Sequence, residues 1–406
     1  MKKILLLLLL FAYGSANAQL GWKEISTDFG GRLYDITMTN LQTLFTCGED
    51  GRIYMSTNYG INWSLVNQHS QYYLLSISFA NENSGVCVGS SGKILWTNNG
   101  GLNWSEASSG VSSALTSVSL SPDGTGLICG EGGKIFRTVN YGLNWVQQYT
   151  GNTYTFYTID NVSNTTGYAC GDNGRVYKTT LAGANWNQIA EFGGIFKSSS
   201  FLNAEHGWIV GTTLYKTANG GATWDTLVRN LNGINSIDFA NASKGFMVGS
   251  GGLIFKTLNG GTSWDISLSP TINDLQSVYM FNENVAVACG AIGTVLWTEN
   301  FGVGVEQISS QLPDNFKLHQ NYPNPFNPST KINFEILNSG FVQIKIFDIA
   351  GREVETLAKQ NFSPGEYVVD WNAKSSPAGV YLYTLNFFSL SGEKKFTATK
   401  KMMLVK

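Results

Sequence analysis

The stretch that decides the fold is TLNGGTSW, from Thr257 to Trp264, because close copies of it return along the chain at intervals of about forty residues. Asn and Gly accept the positive φ of a tight hairpin turn, and the Asn side chain can bond back to nearby backbone. Seven copies in register predict a repeat architecture built from β-hairpins. The other six copies end at Trp63, Trp104, Trp145, Trp186, Trp224 and, in a worn form, Val305.

Each repeat contains four strand-like pieces, which are clearest in the sixth copy. They read INSIDF, GFMVG, LIFKT and TSWDI, at Ile234–Phe239, Gly245–Gly249, Leu253–Thr257 and Thr262–Ile266. Four short antiparallel strands in about forty residues are typical of a propeller blade. The sequence therefore predicts an all-β fold with a seven-bladed β-propeller over residues 19–308.

Closure of the ring leaves a trace at the two ends of the propeller. The seventh copy loses its Trp at Val305, while GWKEI, from Gly21 to Ile25, looks like the last strand of a blade without its preceding strands. We expect Trp22 to enter the seventh blade with this outer strand, so that no open edge remains. In the alternative, Gly304–Ile308 forms the outer strand itself.

The repeated motif resembles the Asp-box of bacterial neuraminidase (BNR) repeats, Ser/Thr-x-Asp-x-Gly-x-x-Trp. Asn stands at the Asp position in six copies, and Leu181 stands there in the remaining one. Because such turns lie on the face opposite the blade connections, we interpret the motif as scaffold. The Trp residues assigned to this scaffold are Trp63, Trp104, Trp145, Trp186, Trp224, Trp264 and Trp22.

The propeller as a whole is similar to the seven-bladed photosystem II assembly and stability factor family. Ser236–Phe239, Gly245–Gly249 and Gly252–Trp264 follow that family's repeat pattern, and Gly207–Gly211 matches its second element. The resemblance implies a protein-binding scaffold that often uses an arginine-rich patch. Residues 19–309 carry 13 basic against 20 acidic residues, a net charge of −7, which argues against such a patch here. Neither this part nor residues 310–406, at net +3, has the basic footprint of a nucleic-acid binder.

A second domain begins where the periodicity stops, at Ser309. We divide this part into a linker over 309–317 and a small Ig-like β-sandwich over 318–406, on the strength of alternating segments such as PAGVYLYTL at Pro377–Leu385. It closely resembles the type A C-terminal sorting domain of the type IX secretion system. The matching elements are YPNPFNP at Tyr322–Pro328, FDIAGREV at Phe347–Val354, PAGVYLY and the terminal strand from Lys400. The resemblance implies that the type IX machinery is a partner through residues 318–406.

The N-terminal sequence indicates export from the cytoplasm, which the type IX route also requires. Lys2 and Lys3, the apolar run Ile4–Phe11 and Ala16-Asn17-Ala18 are typical of a cleavable signal peptide over residues 1–18. The apolar run is too short to cross a bilayer, so no transmembrane span is expected. We expect a protein that passes through the periplasm and is then secreted or held at the outer cell surface.

The cysteines follow the repeat and not a disulfide framework. Cys47, Cys129, Cys170 and Cys289 share one column of the repeat, which Val fills in other copies, and Cys87 lies one place out of register. A column that accepts Cys or Val is a buried small-apolar site. We therefore predict free buried thiols, with disulfides as the alternative.

A candidate ligand face lies where the turns between second and third strands meet the connections between blades. Polar and aromatic residues there form a patch on one side of the ring, which we interpret as a candidate binding surface. In the alternative interpretation, these residues are a solvated rim without a ligand. The candidate residues are Glu49, Asp50, Arg52, Glu131, Lys134, Asp172, Arg175, Tyr72, Tyr154 and Arg229, with His69, Tyr73 and Phe156 beside them.

The sequence contains no recognisable catalytic constellation. A sialidase needs an arginine triad and an Arg-Ile-Pro motif, and none of the five arginines of the mature propeller precedes Ile-Pro. The three histidines have no metal-ligand spacing, so neither a metal nor a cofactor is expected. We predict a non-enzymatic propeller that binds an extracellular protein or polysaccharide. The rival hypotheses are an extracellular Asp-box glycoside hydrolase or lyase, and a purely structural envelope component.

Overall fold

The computed structural model describes residues 18–19, 21–25, 27–69, 71–148, 150–301, 305–309, 311, 313–373, 376–389 and 392–405. The chain divides into two compact units. One is Gly21–Gly302, and the other combines Met1–Leu20 with Val303–Lys406. The predicted signal peptide falls outside the described residues except for Ala18.

The first unit consists of seven four-stranded antiparallel sheets, which confirms the predicted seven-bladed propeller. Blade one consists of Leu33–Met38, Leu44–Gly48, Ile53–Ser56 and Ser64–Asn67, and blade two of Leu74–Phe79, Gly85–Gly89, Ile94–Thr97 and Ser105–Ala107. Blade three consists of Leu115–Leu120, Gly126–Gly130, Ile135–Thr138 and Val146–Gln148, and blade four of Phe156–Asn161, Gly167–Gly171, Arg175–Thr179 and Asn187–Glu191. Blade five consists of Ser198–Phe201, Gly207–Val210, Thr213–Thr217 and Asp225–Arg229, and blade six of Ile234–Phe239, Gly245–Gly249, Ile254–Thr257 and Asp265–Ile266.

The seventh blade takes its outer strand from the other end of the unit. Its first three strands are Leu275–Met280, Ala286–Gly290 and Val295–Thr298. Lys23–Ile25 pairs antiparallel with the last of them, with Lys23 opposite Trp297 and Ile25 opposite Val295. The prediction that Trp22 leads the outer strand of blade seven is thus confirmed.

Trp22 is fully buried and closes the ring by packing as well as by pairing. Its ring lies edge-on to Phe246 of blade six, with centroids 5.0 Å apart, in a core that also contains Phe301. The innermost strands of neighbouring blades contact one another around the whole ring, including Leu275–Met280 with Leu33–Met38. The pairing of Lys23–Ile25 gives blade seven the same four strands as the other blades and so completes the ring.

The predicted turn chemistry is present in the repeated motif. In blade six, the Gly261 N–H donates to Thr257 Oγ1 at 3.0 Å, and the Ser263 N–H donates to Asn259 Oδ1 at 2.9 Å. The same pair of bonds recurs in blades one, two, three and five. In blade four, Leu181 replaces the Asn, and of this pair of bonds the turn keeps the one from the Gly183 N–H to Thr179 Oγ1.

The second unit is a two-sheet sandwich. One sheet orders its strands as Ala18–Gln19, Val305–Ser309, Gly365–Asn372, Ser329–Ile336 and Lys317–Leu318. The other orders them as Glu353–Phe362, Gly340–Asp348, Gly379–Ser389 and Lys394–Leu404. Side chains from both sheets form one hydrophobic core, which includes Trp371 and Tyr383.

The boundary between the units lies earlier than the sequence indicated. We placed residues up to 308 in the propeller and 309–317 in a linker, but Val305–Ser309 pairs with Gly365–Asn372 in the sandwich. Val305 is fully buried in the sandwich core, which explains why an apolar residue stands where the seventh motif would have its Trp. The alternative in which Gly304–Ile308 completes blade seven is therefore wrong.

The two ends of the sorting-domain pattern contact each other. The Phe326 N–H donates to Met403 O at 2.9 Å, and the Val405 N–H donates to Phe326 O at 3.0 Å. The Met403 N–H also donates to Asn324 Oδ1 at 2.9 Å. The YPNPFNP segment thus binds the last strand of the domain, and the two ends of the sorting-domain pattern form one structural element.

The five cysteines are free and buried, as predicted. Burial raises the pKa of the Cys129 thiol to about 12 and that of Cys170 well above its ordinary value. None of the helices in the described part of the chain has the length and apolar character needed to cross a bilayer.

Candidate functional site

The loop face of the propeller consists of the turns between second and third strands and the connections between blades. These two sets of loops are fastened to each other by recurring hydrogen bonds. Ser109 Oγ donates to Gly92 O at 2.6 Å, Thr150 Oγ1 donates to Gly133 O at 2.9 Å, and Thr27 Oγ1 donates to Gly293 O at 2.7 Å. Each turn is therefore held against the connection that follows its own blade.

Three acidic candidates accept hydrogen bonds from backbone N–H groups of the loop face. Glu49 accepts a hydrogen bond from the Arg32 N–H at 3.0 Å, Glu131 from the Ala114 N–H at 3.1 Å, and Asp172 from the Thr155 N–H at 3.1 Å. Each acid lies 17 residues after its donor, at the first position of its turn. Their carboxylates hold the start of the inner strand, so part of their hydrogen-bonding capacity is already used.

Two of the cationic candidates are also paired within the protein. Arg52 forms an ion pair with Asp50 at 3.1 Å, and it donates to Gly30 O at 3.1 Å. Arg175 forms an ion pair with Glu191 at 3.2 Å, and its guanidinium lies 3.7 Å from the ring centroid of Tyr154. The Arg175 guanidinium in turn lowers the pKa of Glu191.

Tyr72 occupies the place in the first connection that Tyr154 occupies in the third. It is buried, its ring stacks on His69 with centroids 4.8 Å apart, and Lys93 lies 4.8 Å from its centroid. Lys93 also pairs with Glu106 at 2.8 Å. Tyr72 and Tyr154 thus each contact the cation of the next blade, and Tyr72 presents little of its ring to solvent whereas Tyr154 is partly buried. Tyr73, which follows Tyr72, is half-exposed.

Lys134 and Arg229 differ from the other candidates, because no side-chain partner for either is found within the described part of the chain. Lys134 borders a groove of about 250 Å³ whose other walls include Gln147, Gln148 and Asn152. Arg229 is exposed at the end of the outer strand of blade five. Phe156 is wrongly placed among the loops by the sequence, because it begins the inner strand of blade four and is buried in the core.

The innermost strands carry a second polar network that sequence reasoning missed. In blade two, Ser76 Oγ accepts from the Val118 N–H of blade three at 3.2 Å, and Ser236 of blade six accepts in the same way from the Val278 N–H at 3.2 Å. Ser277 of blade seven donates to Asp35 of blade one at 2.7 Å. These bonds join each inner strand to the next around the axis, and the Ser column recurring every 41 residues or so was the available signal.

Three carboxylates belong to this axial network. Asp35 accepts from the Ile77 N–H at 2.9 Å, and Asp238 accepts from the Met280 N–H at 2.7 Å and from Ser200 Oγ at 3.0 Å. Asp160 accepts from the Ser199 hydroxyl. Burial raises the pKa of Asp35, raises that of Asp160 to about 6 and raises that of Asp238 to about 7. The hydroxyl and N–H donors oppose this shift because they favour the ionised form.

The donors of the axial carboxylates come from neighbouring blades, which gives these groups a structural role that needs no substrate. Within the described residues, no group of three or more His, Cys, Asp or Glu side chains is arranged to hold a metal ion. The propeller therefore has a loop face on which most candidate charges are paired, and inner strands that are joined by hydroxyls and carboxylates.

Comparison with known families identifies the propeller. The family model described as "Photosynthesis system II assembly factor YCF48" matches residues 55–198 and 191–303, which together make up more than half of the chain. The chain belongs to the YCF48 family. A second model, described as "Secretion system C-terminal sorting domain", matches residues 320–403.

Solved structures agree with the YCF48 assignment at the level of the fold. "YCF48 bound to D1 peptide" has a TM-score of 0.58 at 17% sequence identity and covers 68% of this chain and 96% of that one. YCF48 from Cyanidioschyzon merolae has a TM-score of 0.57 at 18% identity, with 68% and 98% covered. The WD40 repeats of RRP9 match with a TM-score of 0.59 at 11% identity, covering 68% and 97%. A sequence search among curated proteins found no match.

The second family model settles the nature of the sandwich. Residues 320–403 of this YCF48-family chain form a type IX sorting domain, as the YPNPFNP and terminal-strand motifs predicted. Such a domain indicates export to the cell surface or beyond and implies interaction with the secretion machinery. The YCF48-family propeller is thus the cargo that this domain directs out of the cell.

Proposed function

We propose that this protein is a non-catalytic scaffold that binds an extended segment of another protein, outside the cell, on the loop face of its propeller. The observation that carries the proposal is that one chain joins a propeller of an assembly-factor family to a secretion sorting domain. The first part supports a protein-binding role, and the second supports an extracellular place for it.

Two further observations support a peptide segment as the ligand. One solved propeller of similar fold, a YCF48, is described as bound to a D1 peptide. In this chain the axial carboxylates with raised pKa values accept hydrogen bonds from neighbouring blades, which gives them a structural role in the ring. Chemistry on a substrate is therefore not part of the proposal.

Export is tested by fractionating cells that produce the full chain or a chain that lacks residues 312–406. We expect the full chain in the external fraction and the truncated chain in the periplasm. The ratio of external to periplasmic protein, measured with an antibody against the propeller, is the readout. Equal external amounts of both chains would contradict the role of the sorting domain.

Binding and catalysis are tested with the same purified full chain. Immobilised short peptides and a panel of polysaccharides and sialosides serve as probes, and we expect retention by peptides and no release of reducing sugar or sialic acid. Asp160→Asn and Asp238→Asn are the variants that a catalytic role would make inactive. Turnover that either variant abolishes would overturn the scaffold proposal in favour of a glycoside hydrolase or lyase.

A further inference from the structure

The first four blades each carry a basic residue at the start of the third strand, and these residues lie 41 positions apart along the chain. In three of the blades this cation forms an ion pair with an acidic side chain of the same blade. In blade three, Lys134 is half-buried and forms no ion pair with any residue that the structure describes. The three pairs are Arg52 with Asp50 at 3.1 Å, Lys93 with Glu106 at 2.8 Å, and Arg175 with Glu191 at 3.2 Å.

The outer strand of blade three has an amide where that of blade two has a carboxylate. Gln147 lies 41 positions after Glu106, and both residues pair with the second residue of the third strand in their own blade. The acid of blade one has no counterpart either, since Gly132 stands 82 positions after Asp50. Lys134 therefore lacks an acid at both of these positions.

Blade three also lacks the aromatic ring that blades two and four place against this cation. The Tyr72 ring centroid lies 4.8 Å from Lys93 Nζ. The Tyr154 ring centroid lies 3.7 Å from the guanidinium carbon of Arg175. Ser113 stands at the same position of the repeat before blade three, and its buried Oγ has no hydrogen-bond partner among the described residues. The cation of blade three is thus without the acid and without the ring.

Lys134 lines a groove of about 250 Å³ that is bounded by the turn, the outer strand and the following connection of blade three. The side chains of Gln147, Gln148 and Asn152 form other parts of its wall. The Gln147 amide has no hydrogen-bond partner in the part of the chain that the structure describes. A carboxylate in this groove can therefore pair with the ammonium group and accept a hydrogen bond from an amide.

The other charges around the groove leave this cation available. Residues 107–115, before blade three, and residues 146–155, in its outer strand and the following connection, contain no charged side chain. Two acids lie nearby, Glu131 in the turn and Asp172 in the next blade, and each already accepts a hydrogen bond from a backbone N–H at 3.1 Å. Neither is ion-paired with Lys134. A ligand carboxylate supplies the counterion that the blade itself does not, whereas a cationic ligand would meet an unpaired cation.

We propose that the groove of blade three binds a carboxylate group carried by an extended segment of a partner protein. This carboxylate takes the place of the acid that pairs with the equivalent cation in the neighbouring blades. The inference rests on the proposed function and places the peptide site beside Lys134 and Gln147. An Asp or Glu side chain and the carboxyl end of a chain carry the same group, so the test includes both.

The test uses the full chain and three immobilised synthetic peptides with one Gly/Ser/Leu background. The first peptide has an internal Glu and an amidated end, the second an internal Gln and an amidated end, and the third an internal Gln and a free carboxyl end. Lys134→Gln removes the cation, whereas Gln147→Glu keeps it and supplies the acid that blade two has. The matched controls, Lys93→Gln and Gln188→Glu, make the same changes at the equivalent positions of blades two and four.

We expect the wild type to bind a carboxylate peptide about tenfold more tightly than the neutral peptide, as for one charge-assisted hydrogen-bonded pair. Lys134→Gln and Gln147→Glu should both abolish this preference, and the two controls should keep it within about twofold. The tighter of the two carboxylate peptides identifies whether a side chain or a chain end supplies the group.

Equal binding of carboxylate and neutral peptides by the wild type would overturn the groove as the site while leaving the scaffold function in place. A preference that survives in either groove variant would do the same. Binding of glycans that carry uronate or sialic acid, with no peptide bound by the wild type, would overturn the proposed function itself.

Discussion

At the scale of single residues, the strain at Ile292 predicts a substitution that stabilises the protein. This exposed β-branched residue has a left-handed backbone, at φ 54°, in the turn between the second and third strands of blade seven. Ile292→Asn places the residue of the equivalent blade-four position, Asn173, at a backbone that Asn tolerates. We expect the free energy of unfolding to rise by about 1 kcal/mol, because little packing is lost from so exposed a side chain. Urea unfolding followed by Trp fluorescence measures the change. The reverse substitution, Asn173→Ile, should cost a similar amount, and a loss of stability in Ile292→Asn would show that Ile292 contributes to the fold.

The raised pKa of Asp238 predicts how stability depends on pH. In the folded protein this pKa is about 7, whereas an unfolded Asp has a pKa of about 3.9. The folded state therefore holds a proton that the unfolded state releases, and the stability this proton provides is lost as pH rises from about 4 through 7. The difference between the two pKa values corresponds to about 4 kcal/mol at most.

Asp238→Asn removes this titration and isolates its contribution. We expect the wild type to lose more stability than the variant between pH 5 and pH 8, measured by urea unfolding at each pH. Asp225→Asn, on the exposed outer strand of blade five, is the control and should keep the wild-type dependence. Parallel pH profiles for wild type and Asp238→Asn would show that the carboxylate of Asp238 titrates alike in both states.

At the scale of the structural element, the missing Asn in the turn of blade four predicts a substitution that stabilises the protein. Leu181 stands where the other turns have an Asn whose Oδ1 accepts a backbone N–H, and its side chain is 62% exposed. Leu181→Asn should supply this acceptor to the Asn185 N–H and raise the free energy of unfolding by about 1 kcal/mol. Leu102→Asn is the control, since Leu102 is equally exposed at a motif position that accepts no such bond. Equal effects of the two substitutions would mean that only exposed apolar area matters.

The turns also show why the sequence predicted the elements so well and the site less well. The spacing of TLNGGTSW and its copies records local backbone chemistry, which depends on neighbours a few residues away, so the hairpins followed directly from it. The pairing of Arg175 with Glu191 and Tyr154 depends on loops brought together by the closed ring, and no local pattern records it. Charged residues that looked available for a ligand in the sequence are for this reason partly used within the protein.

At the scale of the whole molecule, the same distinction explains the one boundary that the sequence misplaced. The sequence predicted the closing strand from Trp22, because this residue matches the last residue of the motif but lies before the first repeat. Val305 gave no comparable signal, since an apolar residue fits a worn motif and a sandwich strand equally. Only the partner strand, Gly365–Asn372, distinguishes the two, and it lies about sixty residues away.

The ring closure predicts that Trp22 stabilises more than its own strand. Trp22→Ala removes a fully buried side chain that joins the cores of blades six and seven, so we expect a loss of about 3–5 kcal/mol in the free energy of unfolding. Hydrogen exchange should also increase in Ala286–Gly290 and Val295–Thr298, because the outer strand Lys23–Ile25 is no longer anchored to the seventh blade. Trp186→Ala, at a similarly buried Trp inside the continuous blade four, should leave exchange in these two strands unchanged. If Trp22→Ala also left them protected, the strand pairing alone would hold the ring closed, and the buried indole would add stability only to its local core.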